Sequence, residues 1–192
     1  MPAAREAIFA AGDRVYLRRP RFADGPVFVA SVRASRSLHG NWVQAPKSAR
    51  RFAVYVRRFA GAKSRRLTSA TQLGFLVCRC EDDAPVGVFN LSEIVRGAFW
   101  SAYLGYYALA PHAGRGYMAE GLALTLRVAF RSLGLHRIEA NVQPRNTRSI
   151  ALVRSAGFTR EGFSRRYVRI AGRWRDHERW AMLVEDWRRA KR

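Results

Sequence analysis

The 192-residue chain predicts a mixed α/β fold in one domain: about seven mostly antiparallel strands, one central parallel pairing, and about four helices. Three observations carry this expectation. Apolar residues alternate with a period of two in several short runs and recur at helical spacing in others. A strand, a loop, a helix and a strand follow one another mid-chain, which requires one parallel pairing. The composition, 48% hydrophobic and 26% charged, is that of a globular chain long enough to bury one core.

The elements can be justified in order. "RVYLRRP" (14–20) alternates like a strand and stops at Pro20. "ADGPVFVASVRASRSL" reads as a helix with Asp24 as N-cap and Pro26 in its first turn. After "HGNWVQAP", residues 47–66 form a second helix, with Phe52, Val56 and Phe59 on one face and Gly61 near its end. "QLGFLVCRC" and "PVGVFNLSEIV" are strands joined by "EDDAP", and "FWSAYLGYYAL" (99–109) is a third. "YMAEGLALTLRVAFRSLG" is a strong helix whose inner face is Leu122, Leu126, Ala129 and Phe130, stopped by Gly134. "RIEANV" is a short strand, and "NTRSIALVRSAG" a helix capped by Asn146 and stopped by Gly157. The tail from Phe158 reads as a hairpin turning at Ala171-Gly172, with Trp174, Trp180, Met182 and Val184 in alternation. Residues 1–11 are left as an N-terminal extension with latitude to be flexible, and 12–192 as the single domain.

The bulk charge is the loudest compositional feature. Thirty-five basic against 14 acidic residues give a net charge of +21, and lysine occurs only at positions 47, 63 and 191. Arginine-rich usage suits a GC-rich genome, but that does not account for the scarcity of Asp and Glu. Such a field attracts polyanions: RNA, a ribosome, or a phosphorylated cofactor. The arginines are spread along the chain, so a solvated basic surface fits as well as a nucleic-acid groove. Neither a bilayer-spanning run of roughly 18 apolar residues nor a signal peptide is legible, so a cytoplasmic setting is expected and no membrane partner. Cys78 and Cys80 share one strand face, a poor geometry for a disulfide and too few ligands for a metal site. They are read as small apolar residues, and no metal is expected.

"GYYALAPHAGRGYMAEG" (105–121) is where chemistry becomes legible. A strand ends near Pro111, and His112 to Tyr117 feed straight into a helix. The first N–H groups of a helix lack partners, and its dipole adds positive character there. Glycines let the preceding backbone turn its N–H groups toward the same point, and Arg115 adds a charge. This suits a phosphate, though it fits an ordinary tight connection too. It matches neither the dinucleotide fingerprint nor the Walker loop.

Five blocks together resemble the GNAT superfamily of acetyl-CoA-dependent N-acetyltransferases, and within it the group that acetylates ribosomal-protein N-termini, especially the S5-alanine type. They are "RGAFWSAYLGYYAL", "GRGYMAEGL", "LHRIEANVQPRNTRSI", "AGFTREGF" and "IAGRWRDHERWAM", spanning about Gly97 to Trp187. The resemblance implies a sheet splayed between strands 99–109 and 136–142, with acetyl-CoA in the split and no metal. Its pyrophosphate would meet Gly114, Arg115, Gly116, Tyr117, Met118 and Ala119. Its pantetheine would pair with main chain near Tyr107, Leu109 and Ala110, while Asn146 and Ser149 would face its thiol end. The acceptor implied is a protein N-terminus, that of a ribosomal protein, with rRNA contact through the basic surface. An enzyme for a small amine, or a non-catalytic RNA- or ribosome-binding module of the same fold, stays open as an alternative.

The chain departs from the superfamily in three places. Only Gly116 matches the broad loop signature strictly. The tyrosine that many relatives use to protonate the thiolate is replaced by Val153. A base carboxylate would fall on Asn141 or Val168, neither of which takes a proton. Ser149 matches the serine assigned the acid role in the ribosomal group, but it could equally cap its helix. An α-amino group has a pKa near 8, so a neutral fraction exists without a strong base. Glu120 is read as a structural partner of its helix start, Glu139 as a surface residue, and His136 and His177 as hydrogen-bonded structural histidines. His112 flanks the loop and is as well placed to touch phosphate as not. Trp42 and Trp100 either line the acceptor entrance or pack in the core.

Overall fold

The computed structural model describes residues 8–60, 69–110 and 112–190. Gly61 and Pro111 therefore lie outside the described residues. One sheet of eight strands runs through the molecule in the order β1-β2-β3-β4-β5-β6-β8-β7. Its members are β1 (Ile8–Ala11), β2 (Val15–Arg18), β3 (Leu73–Arg79), β4 (Pro85–Val95), β5 (Ser101–Ala108), β6 (Arg137–Val142), β7 (Thr159–Ile170) and β8 (Arg173–Leu183). All described pairings are antiparallel except β5 with β6. The eighth strand, β1, lies inside the stretch expected as an extension. Ile8–Ala11 pairs with β2 because "IFAA" supplies strand formers across one tight turn, with Gly12 N–H donating to the Val15 carbonyl at 2.9 Å.

Helices cover both faces. One side carries α1 (Gly25–Ala34), α2 (Arg36–His39) and α3 (Ala49–Ala60). Phe28, Val32, Phe52 and Val56 pack there against Leu76, Cys78 and Val88 of the sheet. The helix expected over 23–38 breaks at Ser35, whose hydroxyl donates back to the Ser31 carbonyl at 2.6 Å and accepts from Ala110 N–H at 2.8 Å. Asp24 precedes α1 without capping it. Its carboxylate holds Arg18 at 2.7 and 2.8 Å and the Arg21 N–H at 2.7 Å.

The other face carries α4 (Tyr117–Arg127), extended by a π-helical turn over Val128–Ser132, and α5 (Thr147–Ser155). Leu122, Leu126, Ala129 and Phe130, the face legible in the sequence, are all buried. The chain closes with α6 (Val184–Arg189), whose Trp187 packs on Phe130 with ring centroids 5.4 Å apart. Val184 was expected to continue the last strand; it opens this helix instead, because burying Trp187 against the π-helical turn outweighs one more residue of alternation. The hairpin turn falls at Ala171-Gly172 as read, both at positive φ.

Leu122 is fully buried where α4 meets the sheet. Leu122→Ala is expected to cost about 2–5 kcal/mol, read from a urea unfolding curve.

Candidate active site

β5 and β6 pair only at Ser101↔Arg137, Ala102↔Ile138 and Tyr103↔Glu139. Beyond that the strands part, although β5 runs on to Ala108 and β6 to Val142. Two cavities fill the gap. The larger, about 800 Å³, lies between His39 and Trp42 on one side, the loop from His112 to Gly116, and the starts of α4 and α5. The smaller, about 310 Å³, is walled by Asn90, Gly105, Asn141, Gln143, Val168 and His177. They share Trp42, Val43, Tyr106, Tyr107, Asn146 and Ser149, and so meet at that wall.

Strand parity decides which groups face the split. Leu109 N–H donates to the Val86 carbonyl at 2.8 Å, and Tyr107 lies opposite Val88. In an antiparallel ladder the bonded positions alternate, so Tyr107 and Leu109 turn their main chain to β4. Ala110 N–H is taken by Ser35 Oγ. The edge facing the split therefore belongs to Tyr106 and Ala108, one residue out of step with the expected Tyr107, Leu109 and Ala110. The Ala108 carbonyl accepts from His39 Nε2 at 2.7 Å. Leu109 is fully buried, and neither it nor Ala110 lines a cavity. Side chains alternate too, so Tyr106 and Tyr107 point to opposite faces while both border the opening.

Gly114 and Gly116 both adopt left-handed backbone, φ 82° and 80°. Gly116 is the N-cap of α4, and no side chain caps that helix. The first internal bond is Ala119 N–H to the Gly116 carbonyl, at 3.1 Å. Tyr117 and Met118 precede it and line the larger cavity with Gly114, Gly116 and Ala119. An uncapped helix start beside a large cavity fits a pyrophosphate. Arg115 is not among the lining residues, and its carbonyl accepts from Arg14 at 3.2 Å. The cations that do line the cavity are Arg145 and Arg148, at the start of α5. The spacing "PRNTRS" was the available signal for them. His112 lines the cavity as well; burial, then Arg79 and Arg115, hold its imidazole below the usual value.

Asn146 caps α5, its side chain accepting from Ser149 N–H at 3.2 Å. Ser149 Oγ does not cap the helix. It donates to the Tyr106 hydroxyl at 2.6 Å, and that hydroxyl donates to the Ser149 carbonyl at 3.0 Å. Burial pushes the Tyr106 phenol up to about 12 despite this bond. Val153 is fully buried in the core, so the phenol near the serine comes from β5 instead. Sequence reading missed Tyr106, because only the register shows which of two adjacent tyrosines reaches α5.

Glu120 is structural, as read. Its carboxylate accepts from Arg14 N–H at 2.8 Å, Val15 N–H at 3.2 Å and Arg14 Nε at 3.0 Å, tying α4 to β2. Burial raises its pKa, but these bonds outweigh that and hold it below the ordinary value. Glu139 pairs with Arg137 at 2.9 Å and with Arg179 at 3.9 Å, outside both linings. His136 lies 3.3 Å from Glu185. Trp42 lines both cavities, whereas Trp100 lines neither. Cys78 is buried and Cys80 exposed, both as free thiols. Among the described residues no cluster of three His, Cys, Asp or Glu side chains could hold a metal ion, and no helix is long and apolar enough to cross a membrane.

Comparison with known proteins places this geometry. The acetyltransferase (GNAT) domain family matches over residues 14–159. The probable N-acetyltransferase YjcK of Bacillus subtilis is 40% identical over 121 residues, covering 63% of this chain and 67% of that protein. The [ribosomal protein uS5]-alanine N-acetyltransferase of Escherichia coli is 42% identical over 102 residues, 53% of each chain, so the match spans about half of that relative. The solved structure of Mycobacterium smegmatis RimJ in complex with CoA-disulfide aligns with a TM-score of 0.79 at 28% identity, covering 89% of this chain and 82% of that one.

A side chain at Gly116 would strain the left-handed backbone and approach the Arg14 guanidinium at 3.2 Å. Gly116→Val is expected to weaken acetyl-CoA binding about tenfold or more while circular dichroism stays unchanged. Calorimetric titration checks it, and unchanged affinity would mean that the cradle is misplaced.

Proposed function

The chain belongs to the acetyltransferase (GNAT) domain family, and on that premise we propose that it transfers acetyl from acetyl-CoA to the α-amino group of a protein N-terminus, with a ribosomal protein as the acceptor. The observation that carries this reading is the meeting of two cavities at Tyr106, Asn146 and Ser149. One cavity has a phosphate cradle, and the other opens on the far side of the same wall. A cofactor thioester and an amine entering from opposite sides would converge there. The ribosomal acceptor is supported by the name of the Escherichia coli relative and by the basic field. A cytoplasmic setting and contact with rRNA belong to the same proposal.

Acetyl-CoA brings an activated acetyl thioester, and the chain's part is to align, polarise and move protons. The open edge at Tyr106 and Ala108 would hold the pantetheine amides, as an added strand does. Backbone N–H groups there would polarise the carbonyl oxygen as charge develops on it. Ser149 would protonate the departing sulfur, with Tyr106 holding its hydroxyl in place. Among the described residues neither cavity lining contains Asp or Glu. An amine that stays cationic after docking has no counter-charge there, which disfavours polyamines.

Peptides beginning with Ala or Ser, taken from ribosomal-protein N-termini, are expected to be acetylated at least tenfold more efficiently than spermidine, measured as CoA release; preference for spermidine would replace the acceptor class. Ser149→Ala and Tyr106→Phe are each expected to lower kcat by about 10²–10⁴-fold and about tenfold respectively, with the acetyl-CoA dissociation constant little changed. Full activity in Ser149→Ala would remove the serine from the mechanism.

A further inference from the structure

We propose that His177 takes the proton from the acceptor's amine during transfer, an assignment that rests on the reading of the smaller cavity as the acceptor side. Three observations lead to it. First, among the described residues the lining of that cavity holds no carboxylate, and both positions where a base was expected, Asn141 and Val168, border it without being able to take a proton. Among the described residues His177 is the one imidazole in that lining. His39 and His112 line the larger cavity only.

Second, its tautomer is fixed. His177 Nδ1 lies 3.0 Å from the Arg175 carbonyl oxygen. A carbonyl can only accept, so the ring proton sits on Nδ1 and the neutral ring offers its lone pair at Nε2. The ring is buried, at 4% exposure, and burial holds its pKa below the ordinary 6.5 against the opposing pull of the carbonyl bond and Asp176. A base kept neutral at physiological pH, with one nitrogen anchored and the other unprotonated, is what proton removal needs.

Third, the same lining contains two buried polar atoms without a hydrogen-bond partner among the described residues, Asn141 Oδ1 and the Tyr107 hydroxyl. A buried polar atom left unpaired keeps its full desolvation penalty. Asn141 Oδ1 can only accept, so its missing partner is an N–H or O–H donor, and the acceptor's amine is one. Asn141 lies opposite Arg179 in the β6–β8 ladder, and His177 is two residues further along β8. Alternation therefore puts Asn141 and His177 on one face of the sheet. Tyr107 lies on that face too, because Tyr103 pairs with Glu139 in the parallel register.

The step balances as follows. The amine nitrogen forms a bond to the acetyl carbon and the carbon–sulfur bond breaks. The nitrogen's proton passes to His177 Nε2, directly or through one water, and the sulfur takes a proton from Ser149, which solvent later restores. The charged and titratable groups around the imidazole are Tyr167 of β7, at 6.0 Å between ring centres, Tyr107 across the cavity, Asp176 and Arg175 beside it, and Arg179 further along β8. Ser164 faces it in the β7–β8 ladder.

His177→Asn places an amide N–H where the ring Nδ1–H meets the Arg175 carbonyl and removes the base. With an Ala-initiated peptide, kcat is expected to fall about 10²–10⁴-fold at unchanged acetyl-CoA affinity, with partial rescue by added imidazole. A neutral base is required and its pKa is lowered, so wild-type kcat should hold below pH 6.5 and then decline as pH falls through the folded value. That limb should vanish in the variant. A variant within threefold of wild type, with the limb intact, would overturn the assignment. If the wild type ignores peptides but acetylates a small amine, the acceptor reading falls, and the same comparison on that amine still judges His177. A nitrogen-15 histidine spectrum of the wild type at pH 7 decides without turnover: a neutral ring protonated on Nδ1 supports the proposal, and a proton on Nε2 or a cationic ring overturns it.

Discussion

The parting of β5 from β6 after Tyr103 and Glu139 is the constraint on which the rest of this structure depends. A sheet interrupted in its middle leaves strand edges without partners, an arrangement a fold sustains only where something else occupies them. Here the opening holds the two cavities, and the edge of β5 supplies one wall of each. Because side chains alternate along that strand, Tyr106 serves the α5 side and Tyr107 the opposite side. Two neighbouring residues of the same type thus end in different chemistry, one bonded to Ser149 and one with a hydroxyl that has no hydrogen-bond partner among the described residues.

The cradle at the start of α4 depends on restraints some distance away. Glu120, one turn into that helix, is fastened to the backbone of Arg14 and Val15, so the helix end is fixed relative to β2. With its N–H groups held in place and uncapped, the helix would meet an anion without having to reorganise. Arg145 and Arg148 add charge from the opposite wall, while the described residues of both linings include no acid. The bulk charge of +21 therefore has a local counterpart where a polyanionic cofactor would sit. Exposed arginines elsewhere set a general field that steers encounters and carries no information about the site.

Much of this was legible in the sequence, and the failures at the site follow one pattern. The helix faces, the Asn146 cap, the hairpin turn and the strand–loop–helix around Gly116 are signals local in sequence, and they stood. The central parallel pairing stood as well. The Asp24 cap did not, because Arg18 and the Arg21 N–H hold its carboxylate. The site residues misjudged were those whose partners lie far away in sequence. Leu109 and Ala110 were matched to the cofactor by nearness to the loop, but the ladder with β4 and the hydroxyl of Ser35 had already taken their N–H groups. Tyr106 was invisible as a partner of Ser149 because 43 residues separate them. Val184 followed the alternation of its strand, and only the packing of Trp187 on Phe130 shows why a helix begins there.

The central claim is that the split between β5 and β6 holds acetyl-CoA, with its pyrophosphate on α4 and its pantetheine on β5. Amide hydrogen exchange with and without acetyl-CoA tests this directly. The account predicts that the amides of Gly116, Tyr117 and Met118 and those of Tyr106 and Ala108 slow on binding, while Leu109 and Ala110, already bonded within the protein, change little. Protection that skips both the α4 start and the β5 edge, or that falls on another face of the sheet, would contradict it.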